Sequence, residues 1–221
     1  MSRWTLALLL FSSLLARSVE GADDWLRFRG PDGSGSTSAT GLAVTWGDGK
    51  NVLWEAKLPG RGASSVIIVG DRAFVTCYSG YGLDRNKPGE KSDLKLHLVC
   101  YDARKGSKLW DQSVESTENV QGYGRFVALH GYASSTPASD GLSVYTYFGP
   151  NGVLAYDLEG KLLWRKKLGK KTHFFGTANS PVLYENLVIV NAGVESGSLV
   201  GLDKKSGKVA WEASGIKSSW N

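Results

Sequence analysis

Apolar and polar positions repeat in a fixed order along most of this chain. A short apolar stretch is followed by an Asp, a Gly and a Trp in three places, at 98–110, 153–164 and 199–211. Residues that are β-branched or aromatic favour strands, while Asp followed closely by Gly favours a tight turn. Each unit is therefore predicted to be a strand, a turn and a second strand that ends in Trp. The repeat residues are Asp102, Gly106 and Trp110, then Asp157, Gly160 and Trp164, then Asp203, Gly207 and Trp211.

A further hairpin precedes each of these units, with Gly70 and Asp71 at the first of the turns. The pattern predicts four antiparallel strands in each period, which returns about every 50 residues and is typical of a propeller. The predicted blades span about 64–114, 133–168 and 179–213. Residues 51–58, with Trp54, are predicted to form a closing strand that completes another blade and covers its edge.

The repeat resembles that of the pyrroloquinoline-quinone (PQQ)-like β-propellers. W-L-R-F-R-G-P at 25–31 and H-G-Y-A-S-S-T-P at 130–137 resemble the planctomycete-type secreted branch of that family. The resemblance implies an all-β, PQQ-like β-propeller of four-stranded antiparallel blades, with eight blades when complete and with Trp rings docked between blades. The family includes quinoprotein dehydrogenases and non-catalytic scaffold propellers, so the resemblance implies the fold but does not select one function.

The end of the chain aligns with the segment that precedes the inner strand of the third blade. Residues 51–221 are therefore predicted to be the N-terminal portion of a propeller, with about three blades and the closing strand. We expect the natural product to continue for roughly another 200 residues, and residues 22–221 alone to be prone to aggregation.

The N-terminus has the pattern of a secretory signal peptide. A basic start is followed by an apolar run at 4–16 and by small residues, so residues 1–21 are predicted to be removed on export, with a buried helix as the alternative. Residues 22–50 are rich in Gly, Ser and Thr and are predicted to be an irregular lead-in. No later stretch has 18 consecutive apolar residues, so we expect no transmembrane segment in the mature chain and a periplasmic or secreted location.

The net charge of the chain narrows the class of partner. The net charge of +5 is modest and its cations are spread along the chain, which excludes the concentrated basic surface of a nucleic-acid-binding protein.

The chain has two cysteines. Cys77 and Cys100 fall on neighbouring predicted strands in a slipped register. Burial of both as thiols is therefore favoured over a disulfide.

Propeller topology separates the connections into two faces. The long connections, at about 79–94, 112–132 and 168–178, all fall on the face opposite the short turns that precede each Trp. Long loops on a rigid scaffold commonly bind ligands. The aromatic and basic residues predicted on this face are Tyr78, Tyr81, Arg125, Phe126, His130, Tyr132, Lys170, Lys171, His173, Phe174, Phe175 and Trp220.

From this set we select eight candidate binding residues, which are Tyr81, Arg125, His130, Tyr132, Lys170, Lys171, His173 and Trp220. Aromatic and basic side chains together suit a protein or a carbohydrate-like partner that carries negative charge. The alternative interpretation is that Phe174 and Phe175 fill a gap between blades and that the Lys residues form a solvated rim.

Catalytic motifs are mostly missing. The chain has no nucleophile elbow, no His pair at metal-ligand spacing and no phosphate-binding loop, so no catalytic or metal-binding residue and no cofactor are predicted. The favoured function is a non-catalytic, extracytoplasmic binding or scaffold module. The alternative that the resemblance implies is a quinoprotein dehydrogenase that uses PQQ and calcium to oxidise an alcohol or a sugar, although the adjacent cysteine pair of such enzymes is missing here.

Overall fold

The computed structural model describes residues 24–47, 49–116, 120–217 and 219–220. These residues form three antiparallel sheets, each of four strands that follow one another in the chain. The predicted all-β fold of four-stranded blades is confirmed. The first sheet holds β1 (Ile67–Val69), β2 (Arg72–Ser79), β3 (Lys95–Asp102) and β4 (Lys108–Glu115); the second holds β5 (Ala138–Ser139), β6 (Ser143–Tyr147), β7 (Val153–Asp157) and β8 (Leu162–Lys166); the third holds β9 (Val182–Tyr184), β10 (Leu187–Ala192), β11 (Ser198–Asp203) and β12 (Val209–Ser214).

A four-residue helix, α1 (Val127–His130), is the one α-helix among the described residues, and it lies between the first and second sheets in the chain. No helix in the described ranges is long and apolar enough to cross a bilayer. The predicted signal peptide, at 1–21, lies outside the described residues.

The sheets stack face to face, and their first strands lie side by side. β5 contacts both β1 and β9. Apolar side chains of the first and second sheets form one core cluster, which includes Phe74, Leu98 and Leu154, and those of the second and third sheets form another. The middle strands of the second sheet, β6 and β7, are buried on both faces because a sheet covers each side. Those of the first sheet, β2 and β3, are covered on one face by the second sheet and on the other by Ala56 and Leu58 of the segment that precedes β1, which explains their continuous apolar runs.

The contact between two neighbouring sheets is called a seam below, and at each seam a Trp ring docks on the next β-turn. The indole N–H of Trp110 donates to the carbonyl of Leu158 at 3.0 Å, and that of Trp164 donates to the carbonyl of Lys204 at 2.8 Å. Both acceptors directly follow the Asp of the repeat. A Gly three or four residues after that Asp lies beneath the ring, with positive φ of 90° at Gly160 and 66° at Gly207.

The predicted closing strand has no strand to pair with among the described residues, although its Trp54 docks in the same way. Residues 52–58 have no strand assignment, because no described strand lies alongside them to share ladder hydrogen bonds. The Trp54 indole N–H nevertheless donates to the carbonyl of Ala103 at 2.9 Å, and its ring lies on Gly106. The docking geometry therefore does not depend on a regular strand.

The lead-in segment lies on the innermost strands. Trp25 pairs with Ile68 of β1 through two backbone hydrogen bonds, and the carbonyl of Leu26 accepts the N–H of Ser139 in β5. This short stretch therefore links the first two sheets at their inner edge.

The two cysteines are free thiols on opposite faces of the first sheet. Cys77 pairs with His97 and Cys100 pairs with Phe74, and the two side chains belong to different core clusters. Burial raises the pKa of Cys77 to about 11 and that of Cys100 to about 12, so both are protonated at neutral pH. The burial that the sequence favoured is thus confirmed.

Candidate functional site

The connections divide between two faces, as the topology requires. The short-turn face holds the β1–β2 and β3–β4 turns and their equivalents in the other two sheets. The long-loop face holds the β2–β3 and β4–β5 connections and their equivalents, together with residues 215–220. The three longest connections between the described strands, at 80–94, 116–137 and 167–181, all lie on the long-loop face.

Five rings from three separate segments form an aromatic cluster on the long-loop face. It consists of Phe126, His173, Phe174, Phe175 and Trp220. Ring centroids are 4.6 Å apart for Phe126 and Phe175, 4.4 Å for Phe174 and Phe175, and 4.7 Å for His173 and Trp220. Tilted and edge-to-face pairs at these distances are favourable, so the rings hold the three segments together.

The three Phe rings of the aromatic cluster remain substantially exposed. Phe126 is 44% exposed, Phe174 43% and Phe175 37%. A gap-filling role between blades would bury these rings, and none of the three is buried among the described residues. Contiguous exposed apolar surface of this kind commonly marks an interaction site.

Hydrogen bonds fix the loops beneath the rings. The ring of His130 bonds to the hydroxyl of Ser134 and to the carbonyl of Phe175, each at 2.6 Å. The Trp220 indole N–H donates to the carbonyl of Gly176 at 2.9 Å. Gly176 has a φ of +72°, and its missing side chain leaves room for the His130 ring. These bonds pre-organise the segments that carry the aromatic cluster.

Glu195, which the sequence analysis did not single out, anchors the same loop from below. It lies in the β10–β11 connection, is only 1% exposed, and accepts a hydrogen bond at Oε1 from the Thr177 hydroxyl. Its backbone carbonyl also accepts the N–H of Lys171 at 3.2 Å. The loop between Lys171 and Thr177 is therefore tied to Glu195 at both ends.

The environment of Glu195 favours the protonated carboxyl. Burial raises its pKa, and the hydrogen bond from Thr177 and the nearby hydroxyl of Tyr147 oppose that shift only in part. Burial and then the proximity of Glu195 raise the pKa of Tyr147 well above its usual range. Within the described residues, neither the Tyr147 hydroxyl nor Oε2 of Glu195 has a partner in good hydrogen-bond geometry. No sequence pattern marks Glu195 beyond an acidic residue three positions after an apolar strand.

The remaining predicted site residues are divided between surface and interior. Arg125, Lys170 and Lys171 are exposed on the long-loop face, beside the aromatic cluster. Tyr132 is half-buried, and its hydroxyl donates to the carbonyl of Gln121 at 2.8 Å. Tyr81 is only 5% exposed and packs among Tyr78, Tyr123 and Tyr132. Its hydroxyl accepts the N–H of Tyr123, so Tyr81 supports the loops from the interior and does not face solvent.

A small pocket lies next to the aromatic cluster, between the first two sheets. Its volume is about 40 Å³, which holds on the order of three water molecules. The residues that line it include Tyr132, Tyr147, Asn151, His173 and Thr177, and none of the lining residues is a Lys or an Arg.

This pocket does not fit PQQ. The quinone has three fused rings and three carboxylates, and the resemblance implies Arg and Glu side chains that hold it beside a calcium ion. The pocket offers neither the volume nor the cationic side chains. In the described ranges, no three His, Cys, Asp or Glu residues are grouped closely enough to hold a metal ion.

A hydrogen-bonded chain of Ser, His and Asp crosses the first sheet. The ring of His97 bonds to the hydroxyl of Ser79 at 2.8 Å and to Oδ1 of Asp111 at 2.9 Å. The order resembles that of a catalytic triad. However, His97 is buried, and Gly60 lies so close that a Cβ there would be 3.2 Å from the Cα of Ser79. We interpret the chain as a structural link between β2, β3 and β4, which the sequence analysis missed because its members are far apart in sequence.

The fold defines the class of protein: these are blades of a PQQ-type β-propeller. A family model described as outer membrane protein assembly factor BamB matches residues 95–219, which is more than half of the chain. The chain therefore belongs to this family of propeller repeats. No curated protein matches it.

One solved structure shares the fold at low sequence identity, and two others are similar to a smaller degree. The quinohemoprotein alcohol dehydrogenase from Comamonas testosteroni has 16% identity and a TM-score of 0.58, over 88% of this chain and 28% of the dehydrogenase chain. A europium-containing methanol dehydrogenase has 18% identity and a TM-score of 0.44, over 69% of this chain and 25% of that chain. BamB from Moraxella catarrhalis has 16% identity and a TM-score of 0.40, over 73% of this chain and 48% of that chain. This chain thus spans between about a quarter and a half of the length of these structures.

Proposed function

We propose that this chain is part of an extracytoplasmic, non-catalytic propeller that binds a partner through its long-loop face. The observation that carries the proposal is the aromatic cluster, in which three separate segments meet to leave Phe126, Phe174 and Phe175 exposed. Hydrogen bonds already hold the loops that carry these rings, so few loop residues have to become ordered when a partner binds. This lowers the entropic cost of association.

The family supports a binding role outside the cytoplasm. Its description as an outer membrane protein assembly factor is that of a protein that works with other proteins. The basic N-terminus and the apolar run that follows it also favour export from the cytoplasm. A dehydrogenase is the weaker proposal, because likeness of fold alone does not supply a catalytic site.

Site-specific photo-crosslinking in the native cells tests the proposed face. The photoreactive amino acid p-benzoylphenylalanine is placed at position 174 of the full-length protein. The matched control is position 142, where Leu142 is 79% exposed in a turn of the short-turn face. We expect a discrete adduct from position 174 that weakens when Phe126→Ser and Phe175→Ser are added, and none from position 142. No adduct from position 174, or equal adducts from both positions, would contradict the proposal.

A further inference from the structure

The aromatic cluster is bordered by cations on the segments that build it. The three segments, 120–137, 167–178 and 215–220, hold no Asp or Glu, and their Lys and Arg residues are Arg125, Lys167, Lys170, Lys171 and Lys217. All five of these side chains are exposed. Within the described residues, Arg125, Lys170 and Lys171 make no ion pair. The border is therefore positive, and the charges of Arg125, Lys170 and Lys171 are available to a partner.

This positive border is local and not a property of the whole long-loop face. The β2–β3 connection, on the same face, carries Asp84, Glu90 and Asp93 among its basic residues. On the short-turn face, Arg104 pairs with Asp71, Arg72 with Glu159 and Lys204 with Asp140. Charges are mixed in those regions, whereas around the aromatic cluster they have a single sign.

The chemistry of the aromatic cluster distinguishes between possible anions. Its exposed rings are Phe, which has no group that can bond to a hydroxyl. Of the two remaining rings in the cluster, Trp220 donates its N–H to the carbonyl of Gly176, and Nδ1 of His173 accepts the N–H of Phe175. A polysaccharide would leave many hydroxyls without partners at such a surface, and that is costly on desolvation. An apolar side chain flanked by carboxylates satisfies both the rings and the cations.

We propose that the partner binds the aromatic cluster with an acidic polypeptide segment that carries aromatic or aliphatic anchor residues. The anchors pack against Phe126, Phe174 and Phe175, and the flanking carboxylates pair with Arg125, Lys170 and Lys171. This inference rests on the function proposed above, because it names the kind of partner for the same face. Apolar anchors supply affinity, while the charge pairs supply orientation and speed of association.

Fluorescence anisotropy with the full-length protein tests this inference directly. The probe is a labelled peptide that contains several Glu and Phe residues between Gly spacers. Three comparisons accompany it: the same peptide with Gln for every Glu, the same peptide with Ser for every Phe, and a labelled oligogalacturonate as an acidic polysaccharide. We expect the Glu and Phe peptide to bind about tenfold more tightly than either altered peptide, with affinity that falls as salt is added.

Charge removal at two matched places completes the design. We expect Lys170→Ser with Lys171→Ser to weaken binding of the Glu and Phe peptide about tenfold. Lys205→Ser with Lys208→Ser removes the same charge from an exposed turn of the short-turn face and is expected to leave binding unchanged. Equal weakening by both pairs would show that the attraction is only to overall charge, and would overturn the inference.

Failure of this inference is distinguishable from failure of the proposed function. Binding of the oligogalacturonate without the peptide would overturn the polypeptide class and leave the binding face in place. If none of the probes binds but position 174 still gives a crosslinked adduct, the polypeptide class is again overturned and the binding face is retained. No crosslinked adduct from position 174 would remove the proposed function itself.

Discussion

The two faces of these blades are built on different principles. On the short-turn face, Trp54, Trp110 and Trp164 each donate to the carbonyl after a turn Asp and lie on a turn Gly. On the long-loop face, the rings of the aromatic cluster come from loops that differ in length and sequence. The first arrangement repeats a single contact that holds sheets together. The second is unique in the described chain, and it leaves apolar surface exposed where a scaffold alone would bury it.

The largest expected effect tests whether the Trp rings hold the sheets together and the Phe rings do not. Trp164 is buried at 9% exposure, and we expect Trp164→Ala to lower the free energy of unfolding by about 3 to 5 kcal/mol. Phe174→Ala removes a ring that is 43% exposed and is expected to cost less than about 1 kcal/mol. Chemical denaturation of the two full-length variants gives both values. Similar losses would show that the aromatic cluster is part of the core.

A Gly comparison tests the docking geometry at a smaller scale. Gly207 has a φ of +66°, and a Cβ there would lie 2.6 Å from the Trp164 ring, so Gly207→Ala combines backbone strain with overpacking and is expected to cost about 3 kcal/mol. Gly141 has a φ of +86° with no atom within 4 Å of such a Cβ, and Gly141→Ala is expected to cost about 1 kcal/mol. Thermal melting of the two variants gives the difference. Equal costs would mean that the ring does not need the space.

The smallest effect concerns pH and separates buried from exposed carboxyls. Because burial raises the pKa of Glu195, the folded state keeps this proton after the unfolded state has lost it. Stability is therefore expected to fall as pH rises from the ordinary Glu value, near 4.5, to the raised pKa of Glu195, and then to level off. Asp203 acts in the opposite sense, since hydrogen bonds from Ser206 lower its pKa and its contribution is lost at acid pH.

The variant Glu195→Gln keeps the shape of the side chain and removes the titration. We expect it to abolish the decline in stability above the ordinary Glu pKa, and to make the protection factors of residues 172–177, which are exchange rates corrected for the intrinsic pH dependence, constant over that range. Glu55→Gln, at an exposed position, is the control and is expected to keep the wild-type profile. A decline that persists in Glu195→Gln would assign the pH dependence to another group.

Sequence reasoning was most successful where contacts are local or repeated. The order of strands in each sheet and the burial of Cys77 and Cys100 follow from apolar runs and from turn residues close by. It was less successful with single loop residues. Tyr81 was expected at the surface and lies in the interior, because Tyr123 and Tyr132 from another segment pack against its ring. Whether residues 52–58 form a strand depended on a neighbour that their own sequence does not specify.

The amino-acid sequence by itself determined the blades of this protein, because each repeat encodes the same strands, the same Asp and Gly turn and the same Trp. Residues that make the same contact in every blade recur at a regular spacing, so the sequence reveals them. Tertiary structure alone decided that Phe126 meets Phe174 and Phe175, and that Glu195 binds Thr177 beneath them. Those partners lie in loops without a common pattern, and their meeting depends on how the rigid sheets place the ends of those loops.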